Sequence, residues 1–296
     1  MMPRAQMRML PDGRRLHLYD GPIDLILEAF GTPLDIRAAY EAACSRFPSV
    51  LDELCAELTL LRSQCHPDSE WPQGPVARRM FAAVLPYAGE YFITPMAAVA
   101  GAVAEEILSG MKAAARLSRA YVNNGGDIAI QLTEGEKFVV GMVERPDRPS
   151  LFGTLNISSA HPARGIATSG WRGRSFSLGI ADAVTVLADR SAAADAASTI
   201  IANAVDLPGH PAVFRVPATE LAPDSDLRDL LVTQGVGTLT CQEIEDALAS
   251  GISVAERLLR IGLIRAAALN LCHETRLVGV SQEEISALHE RSLVHA

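Results

Sequence analysis

An α+β fold with mixed or antiparallel sheets is predicted by three observations. Strand-like segments gather in the middle of the chain, helical segments flank them on both sides, and no βαβ alternation or 20- to 50-residue repeat links them. Taking the elements in order, Leu16 and Leu18 suggest a short strand, and a helix is expected after Pro22. Two helical segments are expected between Asp35 and Arg62, where Leu51, Leu54, Cys55, Leu58 and Leu61 recur at helical spacing. The segment His66 to Gly74 holds two prolines and reads as a loop. Thr94-Pro95 has the form of an N-cap followed by proline at the first helical position, opening a helix from Met96 to about Ser109 with Gly110 as its stop.

From Ala120 the apolar period changes to two. Ile128–Leu132 and Phe138–Val143 read as a hairpin, Leu151–Ile157 as a third strand, and Ala183–Leu187 as another. Ala192–Val205 is a small-residue helix ended by Leu207-Pro208-Gly209. Helical texture returns over the last 80 or so residues. The Thr240-x-x-Glu243 capping box opens a helix stopping near Gly251, Ile252–Leu271 reads as a second, Leu277–Val280 as a short strand and Gln282–His289 as a last helix. Domain organisation follows as a core over 1–206 and a helical C-terminal portion, 207–296, packed on the same body.

Composition narrows the function. The chain has 296 residues, 49% of them hydrophobic and 21% charged, which is the profile of a folded globular protein. Aromatic residues make up 5%, too few for recognition by base stacking, and the formal charge of −9 opposes a phosphate-backbone binder, so no nucleic-acid partner is expected. The apolar stretch from Phe81 to Leu108 is broken by Pro86, Gly89, Glu90 and Pro95, so no membrane partner is expected either. Met1–Arg15 leads into no apolar run of signal length, and the five cysteines form no C-x-x-C pair, which places the chain in the cytoplasm. Cys65-His66 with Asp68 lacks a second pair at zinc spacing and reads as loop.

Three segments combine glycine with small polar residues. In Asn123-Asn124-Gly125-Gly126-Asp127, paired glycines permit a tight turn or a close approach to a ligand. Gly165-Ile166-Ala167-Thr168-Ser169-Gly170, followed by Arg172, Arg174 and Ser175, offers hydroxyls, amides and positive charge suited to phosphate, although a solvated loop uses the same residues. No Walker-type Gly-Lys-Ser/Thr is present. Asp195 and Thr199 are four apart on one helix face, which suits a Mg²⁺ shell or, alternatively, dipole stabilisation by Asp195 at the N-terminus of its own helix with Thr199 tolerated mid-helix. The small face of Ala97, Ala100, Gly101 and Ala104 allows either close packing on a sheet or room for a ligand.

These segments, in this order, resemble the ApbE superfamily, whose founding activity is Mg²⁺-dependent transfer of FMN from FAD to a Thr or Ser of a target flavoprotein. Further similarity to a branch frequent in methanogens and methylotrophs lies at Gly21–Asp24, Thr94–Gly101, Gly173–Gly179, Ala181–Ala183, Asn203 and Val205. It spans roughly residues 15–206. The resemblance implies two T-fold-like halves around one cleft. It also implies Asp195 and Thr199 as metal ligands, and a flavin site formed by Asn124, Gly125, Gly126, Asp127, Thr168, Ser169, Gly170, Arg174 and Ser175. The chain departs from the FMN transferases in one place. Their His-Ile-Ile-Asp-Pro-like segment is replaced by Ser175 to Asp182, without histidine, leaving Asp182 as candidate general base or strand cap. The expectation is a protein binding FAD, FMN or another phosphate-bearing small molecule with Mg²⁺, and a flavoprotein target if it transfers FMN. The alternatives are a pterin protein of tetrahydromethanopterin-linked one-carbon metabolism and a non-catalytic interaction protein whose Ala-rich helices form a homo-oligomer.

Overall fold

A computed structural model describes residues 4–143, 151–279 and 285–287. The N-terminal elements are strands β1 (Gln6–Met9), β2 (Leu16–Asp20) and β3 (Ile23–Phe30), then helices α1 (Pro33–Ala56), α2 (Leu58–Leu61), α3 (Pro75–Val84) and α4 (Val99–Ala114). Strands β4 (Arg119–Asn124), β5 (Asp127–Leu132), β6 (Lys137–Val143), β7 (Leu151–Ser158), β8 (Gly165–Ser169) and β9 (Ala183–Ala188) precede α5 (Ser191–Ala204). The chain continues through β10 (Val213–Pro217), α6 (Ala218–Leu221), β11 (Leu231–Val236), α7 (Cys241–Arg260), β12 (Ala266–Leu271), β13 (Glu274–Val278) and β14 (Ile285–Ala287). The fold is α+β, with antiparallel strand pairs and packed helices, as expected.

Two compact units divide the chain. Unit 1 comprises Met1–Glu136, Pro162–Ala167 and Ala188–Ala196; unit 2 comprises Lys137–His161, Thr168–Leu187 and Ala197–Ala296. In unit 1 the strand order is β1-β2-β3-β4-β5-β8, with α1 against β2 and β3 and α4 against β4 and β5. Leu25 and Leu27 of β3, Val122 of β4, Phe47 of α1 and Ile107 and Met111 of α4 are buried in its core. In unit 2, β9-β12-β13 are neighbours with α7 packed on β12 and β13, β10 pairs β11, and β14-β7-β6 form a further sheet.

Several expectations are corrected. The residues after Pro22 form strand β3, because Ile23, Leu25, Leu27 and Ala29 alternate inward and Gly21, at φ 59°, closes a two-residue hairpin with β2. Phe138–Val143 is a strand but forms no hairpin with Ile128–Leu132. Both edges of β5 are occupied, by β4 and β8, while β6 pairs β7. The C-terminal portion is not helical throughout. Ala266–Leu271, read as helix, is the fully buried strand β12, and a short continuous apolar run does not distinguish these states by periodicity. Of the final helix expected at Gln282–His289, residues 285–287 are strand and the rest lies outside the described residues.

Two glycines read as helix stops lie inside helices instead. The Thr240 capping box opens α7, with Glu243 held at both ends, but the helix passes through Gly251 to Arg260. A Cβ at Gly251 would lie 2.3 Å from Val205 Cγ2, so that glycine serves packing. Pro95–Ala98 is a 3₁₀ turn, α4 starts at Val99 and runs through Gly110, and the Thr94 side chain makes no capping hydrogen bond there. The small face of α4 is used for close packing. A Cβ on Gly101 would lie 2.4 Å from the Ser191 carbonyl oxygen, and one on Gly165 would lie 2.2 Å from the Ser191 nitrogen.

This geometry predicts opposite outcomes for two glycines of one helix. Gly101→Ala, which forces α4 from the start of α5, should destabilise by about 2 kcal/mol or more. Gly110→Ala has nothing within 4 Å of the new methyl and should stabilise by about 0.5–1 kcal/mol. Urea denaturation of both variants measures the difference.

Candidate functional site

Unit 1 builds its polar centre from a turn and two helix starts. Asn124-Gly125-Gly126-Asp127 joins β4 to β5 with Gly125 at φ 65° and Gly126 at φ 117°, the conformation that makes paired glycines necessary in a two-residue hairpin loop. Asn123 Oδ1 accepts from the Gly126 amide at 2.8 Å. The Asn124 side chain is buried and donates to the Ala100 carbonyl at 3.1 Å, tying the turn to the first turn of α4.

The first-turn amides of α4, which have no intrahelical acceptor, find one on another helix. Asp195 Oδ2 accepts from the Gly101 amide at 3.0 Å, and the same carboxylate accepts from Ala100. In return Glu105 of α4 accepts from the Ala192 amide at the start of α5, at 2.8 Å, and pairs with Arg190 at 3.0 Å. Each helix therefore caps the other with a carboxylate one turn or more inside its own sequence. Asp195 was expected either as a metal ligand or as dipole stabilisation at the N-terminus of its own helix; it lies beyond the first turn of α5 and supports the N-terminus of α4 instead.

Asp195 also faces Asp127. Its carboxyl is held well above the usual carboxylate range, first by desolvation among packed neighbours, then by the negative charge of Asp127, with the two amides acting the other way. The residue keeps partial solvent exposure, but the density of protein around its carboxylate makes desolvation the larger effect. Two carboxylate groups thus meet beside the positive end of a helix. Thr199, the other expected ligand, lies four residues further along α5 and is partly exposed. Among the described residues no group of three His, Cys, Asp or Glu side chains is placed to hold a metal.

Unit 2 holds the second set. Thr168, at the end of β8, shares a hydrogen bond of 2.9 Å with Thr185 of β9, and both Thr168 and Ser169 are partly exposed. Gly170, at φ 145°, lets the loop pass the Asp182 carbonyl, which a Cβ there would approach to 2.6 Å. Arg174 and Ser175 are exposed. Asp182 is buried, with Oδ1 paired to Arg172 Nε at 2.5 Å and Oδ2 accepting from the Cys272 amide at 2.7 Å. Both oxygens are engaged, so this carboxylate braces the β12–β13 turn, in which Cys272 and His273 take positive φ of 49° and 69°. Arg172 and Cys272, absent from the expected site, complete this cluster; Cys272 lies 90 residues from Asp182, too far for local spacing to reveal.

A family model described as AbpE bacteria matches residues 7–277. The chain belongs to that family. This AbpE-family chain is 40% identical over 128 residues to a UPF0280 protein of Methanopyrus kandleri, covering 43% of itself and 48% of that protein. It is 36% identical over 171 residues to a UPF0280 protein of Methanocella arvoryzae, covering 57% of itself and 62% of that protein. The chain spans about half the length of the curated relatives it matches. A flavinyl transferase ApbE of Pseudomonas stutzeri is similar at TM-score 0.35 and 12% identity, over 86% of this chain and 78% of that one. A flavin transferase ApbE of Vibrio cholerae is similar at TM-score 0.37 and 12% identity, over 93% and 96%.

The environment of Asp195 fixes the sign of a pH effect. Because its folded-state pKa is raised, the folded AbpE-family chain keeps a proton that the unfolded chain has released. The associated stability is present below about pH 4 and is lost as pH rises through the folded value. Asp195→Asn keeps an acceptor for the Gly101 amide and removes the repulsion, so its melting temperature should gain on the wild type between pH 4 and pH 8. A constant difference across that range would contradict the raised value.

Proposed function

We propose that this AbpE-family chain binds a flavin nucleotide together with a divalent cation. The observation that supports the reading best is the meeting of Asp127 and Asp195 beside the N-terminus of α4. A carboxyl whose proton affinity is raised by a second carboxylate belongs to a donor set suited to a hard cation such as Mg²⁺, which takes oxygen ligands and relieves the repulsion. Asp195 with Asp127 would hold it. When bound, the cation would neutralise charge on a diphosphate.

The chain's own groups have separable tasks in this reading. Asn124 and the two turn glycines keep Asp127 in place, through the bond from Asn124 to α4. Thr168 and Ser169, partly exposed at a strand end and followed by a glycine loop, supply hydroxyls and amides to phosphate oxygens, and Arg174 and Ser175 lie on the exposed continuation of that loop. Asp182 is assigned to holding the loop and the β12–β13 turn, since both its oxygens already accept hydrogen bonds. Binding is accordingly the core of the proposal, and FMN transfer to a flavoprotein Thr or Ser is the activity the family resemblance adds to it.

Calorimetry tests the reading. FAD should bind in MgCl₂ at least about tenfold more tightly than in EDTA. Asp195→Ala should remove that difference while leaving weak binding in EDTA. Absence of heat with FAD, FMN and ADP, in the presence of MgCl₂, would sink the proposal.

A further inference from the structure

Strand β1 leaves one edge of the unit 1 sheet open. Among the described residues it pairs with β2 alone, and its four residues, Gln6-Met7-Arg8-Met9, are all exposed. Sheets blunt such an edge with lysine, proline or a bulge, because its outward amides and carbonyls invite another strand. Strand β1 carries none of the three: its register with β2 is regular, and Met7 and Met9 are 38% and 46% exposed. The Leu10 amide donates to the Arg15 carbonyl at 2.8 Å, so the backbone of Leu10 is turned towards β2. Hydrogen-bonding direction alternates along an antiparallel strand, which turns Arg8 and Gln6 to β2 as well and directs the amides and carbonyls of Met7 and Met9 outward.

A groove runs beside this edge on the helix side of the sheet. Met7 and Met9 pair with the buried Leu18 and Leu16, so their side chains lie on the face that α1 covers. There Arg4, Ala5 and Met7 line an open cavity of about 520 Å³ with Pro48 and Asp52 of α1. Its charges are balanced within the chain, since Arg4 bonds both Asp52, at 2.6 Å, and the buried Asp20, at 2.7 Å. An occupant therefore meets apolar surface next to outward-facing backbone groups. On the other face Arg8 bonds sideways to His17 Nδ1 at 3.2 Å, and Gln6 is exposed.

Register selects the occupant. A second copy of β1, added antiparallel, must set outward residues opposite outward residues, so a two-fold axis falls on a residue and not between two. An axis at Met9 sets Met7 opposite Pro11, which has no amide. One at Arg8 opposes the two Arg8 charges, and one at Gln6 sets Arg8 against Arg4. An axis at Met7 avoids all of these: Met7 meets Met7, Arg8 meets the Gln6 amide, whose oxygen accepts from a guanidinium, and Met9 comes beside Ala5 over the groove. We infer that this chain forms a two-fold homodimer through β1, in which Met9 of each copy fills the groove between Ala5 and Pro48 of the other. The balanced charges of the edge select no charged partner strand, whereas the two-fold pairing satisfies it with its own residues. One strand pair and one groove make a contact below the standard interface size, so dissociation in the micromolar range is expected.

Sedimentation equilibrium of the full chain, without ligand, tests this at protein concentrations from about 1 to about 200 µM. The wild type should pass from monomer to dimer within that range. Met7→Pro, which removes an amide directed away from β2, and Met9→Lys, which brings a charge to the groove, should each weaken association by about tenfold or more. Gln6→Glu sets a carboxylate opposite Arg8 on both sides of the axis and should tighten association by about threefold or more at low salt. Because all three side chains are exposed, the circular dichroism spectra should match the wild type. A wild type that stays monomeric throughout overturns the inference and leaves the edge to a strand of another protein. A dimer that neither Met7→Pro nor Met9→Lys weakens overturns it too, since the copies then meet elsewhere. So does a dimer that Gln6→Glu does not tighten, a result that decides the matter even where Met7→Pro fails to fold.

Discussion

The reciprocal capping of α4 and α5 is the constraint on which the polar centre of unit 1 depends. Asp195 reaches the first amides of α4, Glu105 reaches the first amide of α5, and the approach is possible because residue 101 is glycine. A helix start buried without acceptors costs free energy for every amide left unpaired. Here the acceptors are charged, so they also answer the positive end of each helix. Neither cap is local in sequence. The 3₁₀ turn at Pro95–Ala98 sets the entry of the chain, and the caps come from more than 85 residues away.

Glu105 extends this lock into a series of ion pairs. Arg190 and Arg79 both reach it, Arg79 and Arg46 both reach Glu106, and Arg46 continues to Glu53 on its own helix. Isolated exposed pairs contribute little, but these carboxylates are largely buried and each arginine is shared or forked, so the removal of one partner strands another. The series joins α1, α3 and α4 to the start of α5. One consequence is that the position of Asp195, and with it the distance between two carboxylates, is set by packing and charge across most of unit 1.

Legibility in the sequence followed the range of the interactions. The Asn-Gly-Gly-Asp turn was readable because positive φ at two successive residues is a local demand that glycine meets at least cost. The capping box at Thr240 was readable for the same reason, since its two hydrogen bonds lie within four residues. Gly110 and Gly251 misled because a glycine required by a close contact, or tolerated in a helix, has the same letter as one that ends it. The β12 run Ala-Ala-Ala-Leu-Asn-Leu misled because burial on both faces removes the alternation that marks a strand.

The sequence by itself determined the α+β class, the turn at Gly125 and Gly126, the helical setting of Asp195 and Thr199, and the family likeness carried by those motifs. Each depends on backbone preference or spacing within a few residues. Only the tertiary structure decided that Asp195 caps α4 and faces Asp127, and that Asp182 braces the turn at Cys272 with both oxygens. It also decided that the last 90 residues contribute strands to unit 2. Those outcomes depend on desolvation, pairing and close approach between segments far apart in the chain, and such quantities have no value until the chain is folded.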